Sequence, residues 1–110
     1  MTYEVSMASP AERDLIKISD YIAIELGEPA VARKLVARIK KAVLSLDEMP
    51  YRHAEIDSEL IGVAGIRHLI VANYIIFYHI REDKKSVRVL RVLNGKRGWQ
   101  TILWGISPNQ

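Results

Sequence analysis

The sequence contains no cysteine, and this absence excludes several classes of protein at once. Without thiols the chain has neither a disulfide framework nor a thiolate metal site. No apolar run approaches the roughly 20 residues that a membrane-spanning helix requires. The opening residues MTYEVSMASP have neither the basic nor the apolar region of a secretion signal. These absences predict a soluble protein of the reducing cytoplasm, with no membrane association.

What is present is the composition of an ordinary globular domain. The chain has 110 residues, of which 49% are hydrophobic and 26% are charged. This apolar content is too high for a disordered chain, and the length is that of a single core. We therefore expect one domain over residues 1–110.

Acidic residues are unevenly distributed, and the C-terminal part has none. Residues 1–50 carry a net charge of −1 and residues 51–110 a net charge of +4, while the segment from Lys84 to Gln110 has six basic residues and no acid. Such a basic region attracts a phosphate backbone or an acidic protein partner. The alternative is a basic surface that is merely solvated.

The N-terminus predicts a strand that is followed at once by a helix. Tyr3, Val5 and Met7 alternate with polar residues, a period of two that is typical of a strand with one buried face. The segment from Ser9 to Glu12 has the spacing of a capping box, with proline at the first helical position. We therefore expect a helix that is capped by the side chain of Ser9.

Two helical patterns follow and predict an antiparallel helical hairpin. In the first, apolar residues recur every three or four positions from Ala11 to Leu26, and the pattern ends at Gly27, which suits a left-handed stop. In the second, the apolar positions run from Ala32 to Leu46. Because the connection is so short, the two helices are expected to pack side by side in opposite directions.

The rest of the chain predicts an irregular connection over residues 50–65 and then a sheet. Three runs of β-branched and aromatic residues extend from Ile66 to Val71, from Tyr74 to Arg81 and from Ser86 to Leu93. The connections between them are short enough to permit only antiparallel neighbours. A turn or short helix is expected from Gly98 to Leu103. The predicted fold class is α+β, in the order β-α-α-β-β-β, with the helical hairpin on one face of a mainly antiparallel sheet.

The polar side of the second predicted helix is uniformly basic. No acid occurs between Glu28 and Asp47, and the basic residues are Arg33, Lys34, Arg38, Lys40 and Lys41. Solvent-facing helix positions favour lysine and arginine, so a solvated face explains them. A binding surface for an acidic partner is the second interpretation.

Metal-independent cleavage of RNA is the enzymatic chemistry that the residue types allow. His53, His68 and His79 lie on different segments, so they form no recognisable metal site. Cleavage by the 2′-hydroxyl needs only a base, an acid and cations. Suitable residue types are present at Arg67, His68, His79, Arg88 and Arg97. However, the two strand histidines are expected among isoleucine and phenylalanine, where a structural role is more usual.

The layout and three of its segments resemble the RelE/ParE superfamily of toxins from type II toxin–antitoxin modules. The segments are GIR at 65–67, YIIFY at 74–78 and RVLNGKR at 91–97, and the resemblance covers nearly the full chain. It implies a toxin domain that needs neither cofactor nor metal. It also implies a cognate acidic antitoxin as the partner. The toxin would bind operator DNA only through this antitoxin.

The branches of this superfamily differ in chemistry. RelE-like members cut mRNA on the ribosome, whereas ParE-like members, the plasmid stabilisation proteins, inhibit DNA gyrase. RelE-like nucleases usually place an arginine after the tyrosine of the middle strand, where this chain has Ile75, and a Tyr or His near the C-terminus, where it has Leu103 and Trp104. Asn94 also stands where many relatives have histidine. The resemblance therefore implies a ParE-like gyrase inhibitor with no assigned catalytic residue.

Two alternatives to gyrase inhibition stay open. One is a ribosome-dependent, metal-independent RNA endonuclease that uses Arg97, Lys96 and His79. The other is a member that has retained only antitoxin binding.

The resemblance also implies two binding surfaces. The end of the last strand is expected to face the target, with contacts from Arg67, Arg91, Lys96, Arg97 and Trp99. The basic helix is expected to bind the antitoxin through Arg33, Lys34, Arg38 and Lys41. For the first surface the alternative is structural: Asn94-Gly95 is then a simple turn, Trp99 a core residue and the cations a solvated rim.

Overall fold

The computed structural model describes residues 2–108 and contains a four-stranded sheet with helices on both faces. The predicted domain also includes Met1, Asn109 and Gln110, which lie outside the described residues, so its full extent stays a prediction. In chain order the elements are β1 (Glu4–Met7), α1 (Ser9–Asp20), α2 (Pro29–Leu44), α3 (Ser58–Ile61), β2 (Ile66–Val71), β3 (Tyr74–Arg81), β4 (Ser86–Asn94) and α4 (Trp99–Leu103). Within residues 2–108, no helix combines the length and the hydropathy that crossing a membrane demands.

The strands lie in the order β1-β4-β3-β2, so that β4 is an inner strand between the first and third. β1 runs parallel to β4, with Val5 opposite Val87, and the other two pairs are antiparallel. The predicted α+β class and mainly antiparallel sheet are confirmed. The three predicted strand segments are also confirmed, with β4 extended by one residue to Asn94.

A β-bulge in β4 distributes its apolar side chains over both faces of the sheet. Phe77 lies opposite Arg91, but the next residue, Tyr78, lies opposite Val89, so Leu90 is the extra residue. The bulge lets Val89 and Val92 pack under the helical hairpin while Leu90 faces the other side. Both faces of β4 are therefore buried.

Two apolar cores result from this arrangement. The helical hairpin covers the first, where Leu15 and Ile39 pack against Tyr78. α3 and α4 cover the second, where Ile61 and Leu103 are fully buried beside Phe77. The irregular connection predicted for residues 50–65 thus contains a 3-10 turn at Pro50–Arg52 and the short helix α3, which supplies part of the second core.

The prediction that Ser9 caps the first helix is wrong. The N-cap is Ala8, and no side chain accepts a hydrogen bond there. The backbone N–H of Ala8 donates to the carbonyl of Val89 at 2.8 Å, which continues the ladder between β1 and β4 by one residue. Ala8 is thereby held extended, and its own carbonyl accepts from the N–H groups of Ala11 and Glu12. The helix α1 therefore begins where the pairing of β1 with β4 ends.

The apolar stripe predicted for the first helix holds only as far as Ile22. From Tyr21 to Glu25 the helix widens into a π-helical turn, in which the N–H of Leu26 donates to the carbonyl of Tyr21 at 3.0 Å. This extra residue per turn rotates the following side chains away from the sheet, so Leu26 is 55% exposed. Gly27 then ends the helix at φ +66°, as predicted.

Candidate functional site

The loop from Asn94 to Gly98, here called the C-terminal loop, is fixed against the turn between β2 and β3. The N–H of Gly95 donates to the carbonyl of Asn73 at 2.8 Å, and the N–H of Lys96 donates to Oδ1 of Asn94 at 2.8 Å. A Cβ at Gly95 would stand 3.3 Å from the Asn73 carbonyl oxygen, so glycine permits this close approach. The backbone below Lys96 and Arg97 is therefore well defined, while both side chains are exposed.

Trp99 anchors the far end of the C-terminal loop. It begins α4 and packs on Phe77, with the ring centroids 5.2 Å apart. Its side chain is half-buried against the second core. Among the residues predicted to contact the target, Trp99 is thus also a structural residue.

Arg91 is held by a carboxylate that the sequence analysis missed. Its Nε and Nη2 donate to Oδ2 and Oδ1 of Asp14 on α1, at 2.7 and 2.8 Å, and the N–H of Val92 donates to the same Oδ2 at 3.0 Å. Donating these hydrogen bonds to Asp14 raises the pKa of Arg91. Because β1 ends at Met7, opposite Val89, the outer edge of β4 beyond that point has no neighbouring strand, and Asp14 supplies the missing acceptor.

Arg67 does not lie near the C-terminal loop. It stands opposite Tyr78, four residues along β3 from Tyr74, and this corresponds to about 13 Å. Its Nη1 donates to the carbonyls of Tyr51 and His53 at 3.2 and 2.6 Å, and its guanidinium lies 5.0 Å from the centre of the Tyr51 ring. A contact between Arg67 and the target stays a prediction. The structure shows its guanidinium engaged with the segment that precedes α3.

His79 is also distant from the two cations with which a nuclease would need to combine it. It lies opposite Arg88, five residues along β3 from Tyr74, whereas Asn94 lies opposite Tyr74. The separation along the strand is about 17 Å. His79, Lys96 and Arg97 are therefore not brought together.

Two partly buried histidines are expected to make stability dependent on pH. Burial lowers the pKa of His53 and of His79, with the positive charges of Arg52 and Arg81 respectively as secondary causes. A histidine with a lowered pKa binds fewer protons in the folded chain than in the unfolded chain. Its contribution to stability is therefore complete above about pH 6.5, the ordinary pKa of histidine, and is lost as the pH falls below that value.

We accordingly expect the free energy of unfolding to decrease between pH 7.5 and pH 5.5. Urea denaturation at the two pH values measures it. The double variant His53→Gln and His79→Gln should show a smaller decrease. An equal decrease in the variant would contradict the assignment to these two side chains. The lowered pKa of Glu82 affects the free energy of unfolding only below this pH range, because an ordinary glutamate titrates near pH 4.5.

The four cations predicted for antitoxin binding lie on one exposed side of α2. The opposite side, with Ala32, Ile39 and Val43, is buried in the first core. The exposed cations are Arg33, Lys34, Arg38 and Lys41. Within the part of the chain that the structure describes, none of these side chains forms an ion pair. They constitute an unneutralised basic surface, here called the α2 basic face.

A cleft that the sequence analysis did not identify lies between α1 and the C-terminal loop. It has a volume of about 360 Å³, with Lys17 and Tyr21 on one wall, Arg97 and Ile102 on the other, and Val92 and Leu93 at its base. The sequence does contain a signal for its first wall. Asp14, Lys17 and Tyr21 recur at spacings of three and four, which places them on one side of a helix.

The residues around the loop and the cleft are suited to binding. The described residues contain no cluster of three or more metal-ligating side chains. Arg97 and Lys17 carry positive charge into a partly apolar concave surface, where carboxylates or phosphates of a partner find charge-assisted hydrogen bonds. The arrangement therefore fits an acidic or anionic partner.

Comparisons with known proteins point to one family. A family model described as the ParE toxin of the type II toxin–antitoxin system, parDE, matches residues 5–99. No curated protein sequence matches the chain.

Solved structures of toxin–antitoxin systems share the fold. The chromosomal ParDE toxin–antitoxin system of P. aeruginosa has a TM-score of 0.69 at 24% identity, covering 84% of this chain and 96% of that one. The RelBE2 toxin–antitoxin complex of Mycobacterium tuberculosis has a TM-score of 0.63 at 24% identity, with coverages of 86% and 92%. The archaeal RelE–RelB complex of Pyrococcus horikoshii OT3 has a TM-score of 0.57 at 15% identity, with coverages of 88% and 99%.

Proposed function

Because the chain belongs to the ParE toxin family of type II toxin–antitoxin systems, we propose that it arrests growth by binding DNA gyrase in the cytoplasm. In this proposal a cognate antitoxin neutralises the toxin. The pair would act as a plasmid stabilisation or comparable maintenance module. The toxin would contact operator DNA only through its antitoxin.

The observation that carries the proposal is the geometry of the C-terminal loop. The loop holds Lys96 and Arg97 exposed on a hydrogen-bonded backbone, at the end of an inner strand. His79, the histidine named for the nuclease alternative, is about 17 Å away along β3. RNA cleavage needs base, acid and cation within hydrogen-bond reach of one phosphate. Two cations without such a base favour binding over cleavage.

A direct comparison of the two targets tests the proposal. The purified toxin is added to gyrase that is supercoiling relaxed plasmid, and in parallel to ribosomes translating a defined mRNA. We expect supercoiling to be inhibited and the mRNA to stay intact. Cleavage of ribosome-bound mRNA, lost in Arg97→Ala, would instead assign the chain to the RelE-like chemistry. An inert protein that still binds antitoxin would identify a member that has lost its toxicity.

For the antitoxin we propose an acidic segment that orders on the helical hairpin beside the α2 basic face. Opposite charge raises the rate of encounter more than the lifetime of a complex. The four cations of this face are exposed and unneutralised within the described residues, so their field reaches an approaching acidic chain without competition. The antitoxin's affinity would then come mainly from apolar side chains that it buries on folding.

The triple variant Arg33→Glu, Lys34→Glu and Arg38→Glu is therefore expected to associate with the antitoxin more slowly. Its association rate should also depend less on salt, because the attraction that salt screens has been removed. Surface plasmon resonance at several salt concentrations measures both effects. A matched pair of single variants is Lys34→Glu and Lys84→Glu, since Lys84 is an exposed lysine in the short 3-10 turn between β3 and β4. Equal association rates for this pair would show that the α2 basic face is only solvated.

A further inference from the structure

The cleft between α1 and the C-terminal loop is rigidly built. Asp14 on α1 bonds both the guanidinium of Arg91 and the backbone N–H of Val92, which fixes the helix to the end of β4. Lys17 and Tyr21 follow Asp14 on the same side of α1, so their positions relative to β4 are determined. The opposite wall is held by the hydrogen bonds of the C-terminal loop.

The charge that this cleft offers is positive. Lys17 and Arg97 are exposed on opposite walls, and neither forms an ion pair among residues 2–108. Asp14 is the carboxylate of the lining, and both of its oxygens are already engaged by Arg91 and Val92. An occupant with carboxylates is therefore electrostatically favoured.

The accessible lining of the cleft is partly apolar. Val92 packs in the first core and Leu93 in the second, so both side chains are buried, and the exposed apolar surface comes from Tyr21 and Ile102, at 52% and 49%. The volume of about 360 Å³ lies in the range of roughly 300 to 1,000 Å³ that is typical of ligand clefts. An apolar pocket ringed by an aromatic side chain and cations is the usual receptor for an anchoring side chain of a protein partner.

From this combination we infer that the cleft receives an apolar side chain from an acidic segment of the toxin's protein target. The segment's carboxylates pair with Lys17 and Arg97 on the two walls, and its apolar anchor lies between Tyr21 and Ile102. This inference rests on the proposed function, in which the target is a protein, and it assigns contacts to Lys17, Tyr21 and Ile102.

A protein segment fits the cleft better than a single-stranded nucleic acid. A nucleic-acid chain is followed by a row of cations along its phosphates and needs bases stacked on aromatic faces. Here Lys17 and Arg97 stand on opposite walls and form no such row. The lining does contain two tyrosines, Tyr21 and Tyr74, on which bases could stack. The test must therefore distinguish a protein segment from a nucleic acid.

The test compares three charge or size variants of the full chain. Lys17→Glu reverses one wall, Ile102→Asp removes the apolar rim, and Lys84→Glu serves as a control that makes the same charge change far from the cleft. Each protein is titrated into the gyrase supercoiling assay and induced in cells, with melting temperature as the measure of correct folding. We expect Lys17→Glu and Ile102→Asp to need at least tenfold more protein for inhibition, with melting temperature unchanged, and Lys84→Glu to match the unmodified chain.

A photo-crosslinking residue in place of Tyr21 gives an independent readout in growth-arrested cells. The inference requires the crosslinked peptide of the target, mapped by mass spectrometry, to be acidic and to contain a large apolar residue. Crosslinks to nucleic acid would overturn it. Full inhibition by correctly folded Lys17→Glu and Ile102→Asp would also overturn it while the proposed function stands. If the unmodified chain does not inhibit gyrase, the proposed function fails, and growth arrest by the same variants decides the inference.

Discussion

Replacing both Lys96 and Arg97 by alanine is expected to abolish growth arrest and to leave folding and antitoxin binding intact. Both side chains are exposed, and such surface substitutions change stability by about 0.5 kcal/mol or less each. In a desolvated contact with the target, by contrast, losing a charged hydrogen-bonding partner costs roughly 2 to 5 kcal/mol. Target binding should therefore weaken more than tenfold, since each 1.4 kcal/mol corresponds to about one factor of ten.

Growth after induction, melting temperature and antitoxin affinity together measure this result. Trp99→Ala is the informative comparison, because Trp99 packs on Phe77. Truncating a fully buried aromatic costs about 3 kcal/mol or more, and the half-buried Trp99 should lose a large part of that. The cation variant should be folded and non-toxic, whereas Trp99→Ala should be poorly folded. A fully toxic cation variant at normal expression would mean that the C-terminal loop is only a turn with a solvated rim.

The second large effect is expected at Asp14. Asp14→Ala leaves the guanidinium of Arg91 and the N–H of Val92 without their acceptor. Removing one partner of a buried ion pair costs roughly 3 to 5 kcal/mol, and we expect about 3 because Arg91 keeps 26% of its side chain exposed. This is a large part of the roughly 5 to 15 kcal/mol by which a domain is stable.

Chemical denaturation of Asp14→Ala, Asp14→Asn and Asp20→Ala measures the effect. Asp14→Asn keeps one acceptor oxygen and should lie between the unmodified chain and Asp14→Ala. Asp20 is an exposed acid on the same helix, so Asp20→Ala should change stability by about 0.5 kcal/mol or less. Equal stability of Asp14→Ala and Asp20→Ala would refute the structural role of the Asp14 carboxylate.

The sequence predicted the sheet segments and the helical hairpin because each has a local pattern of apolar residues. The pattern has a period of two in the strands and of three to four in the helices. It did not predict the start of α1, because Ala8 is held by a hydrogen bond to Val89 from the last strand. The exposure of Leu26 was missed for a related reason. The π-helical turn that rotates this residue outward leaves no mark in the apolar spacing.

For the candidate site, the exposure of the side chains was easier to predict than their bonding partners. Lys96 and Arg97, in a loop between a strand and a short helix, are exposed as their polarity and position suggest. The partners of Arg67 and Arg91 were not foreseeable, since Asp14 and Arg91 are 77 positions apart in the chain. The cleft was missed for the same reason, because its two walls come from opposite ends of the sequence.

The parallel pairing of β1 with β4 has a consequence for biosynthesis. β1 is synthesised first but cannot join the sheet until β4, the last strand, has been synthesised, because β4 lies between β1 and β3. Contacts this distant in sequence form slowly, and a nascent chain emerges from its N-terminus onward. Until β4 has left the exit tunnel, β1 and β3 have no common neighbour and neither wall of the cleft meets the other. The surface proposed to arrest growth is therefore assembled only after β4, the last of the four strands, has been synthesised.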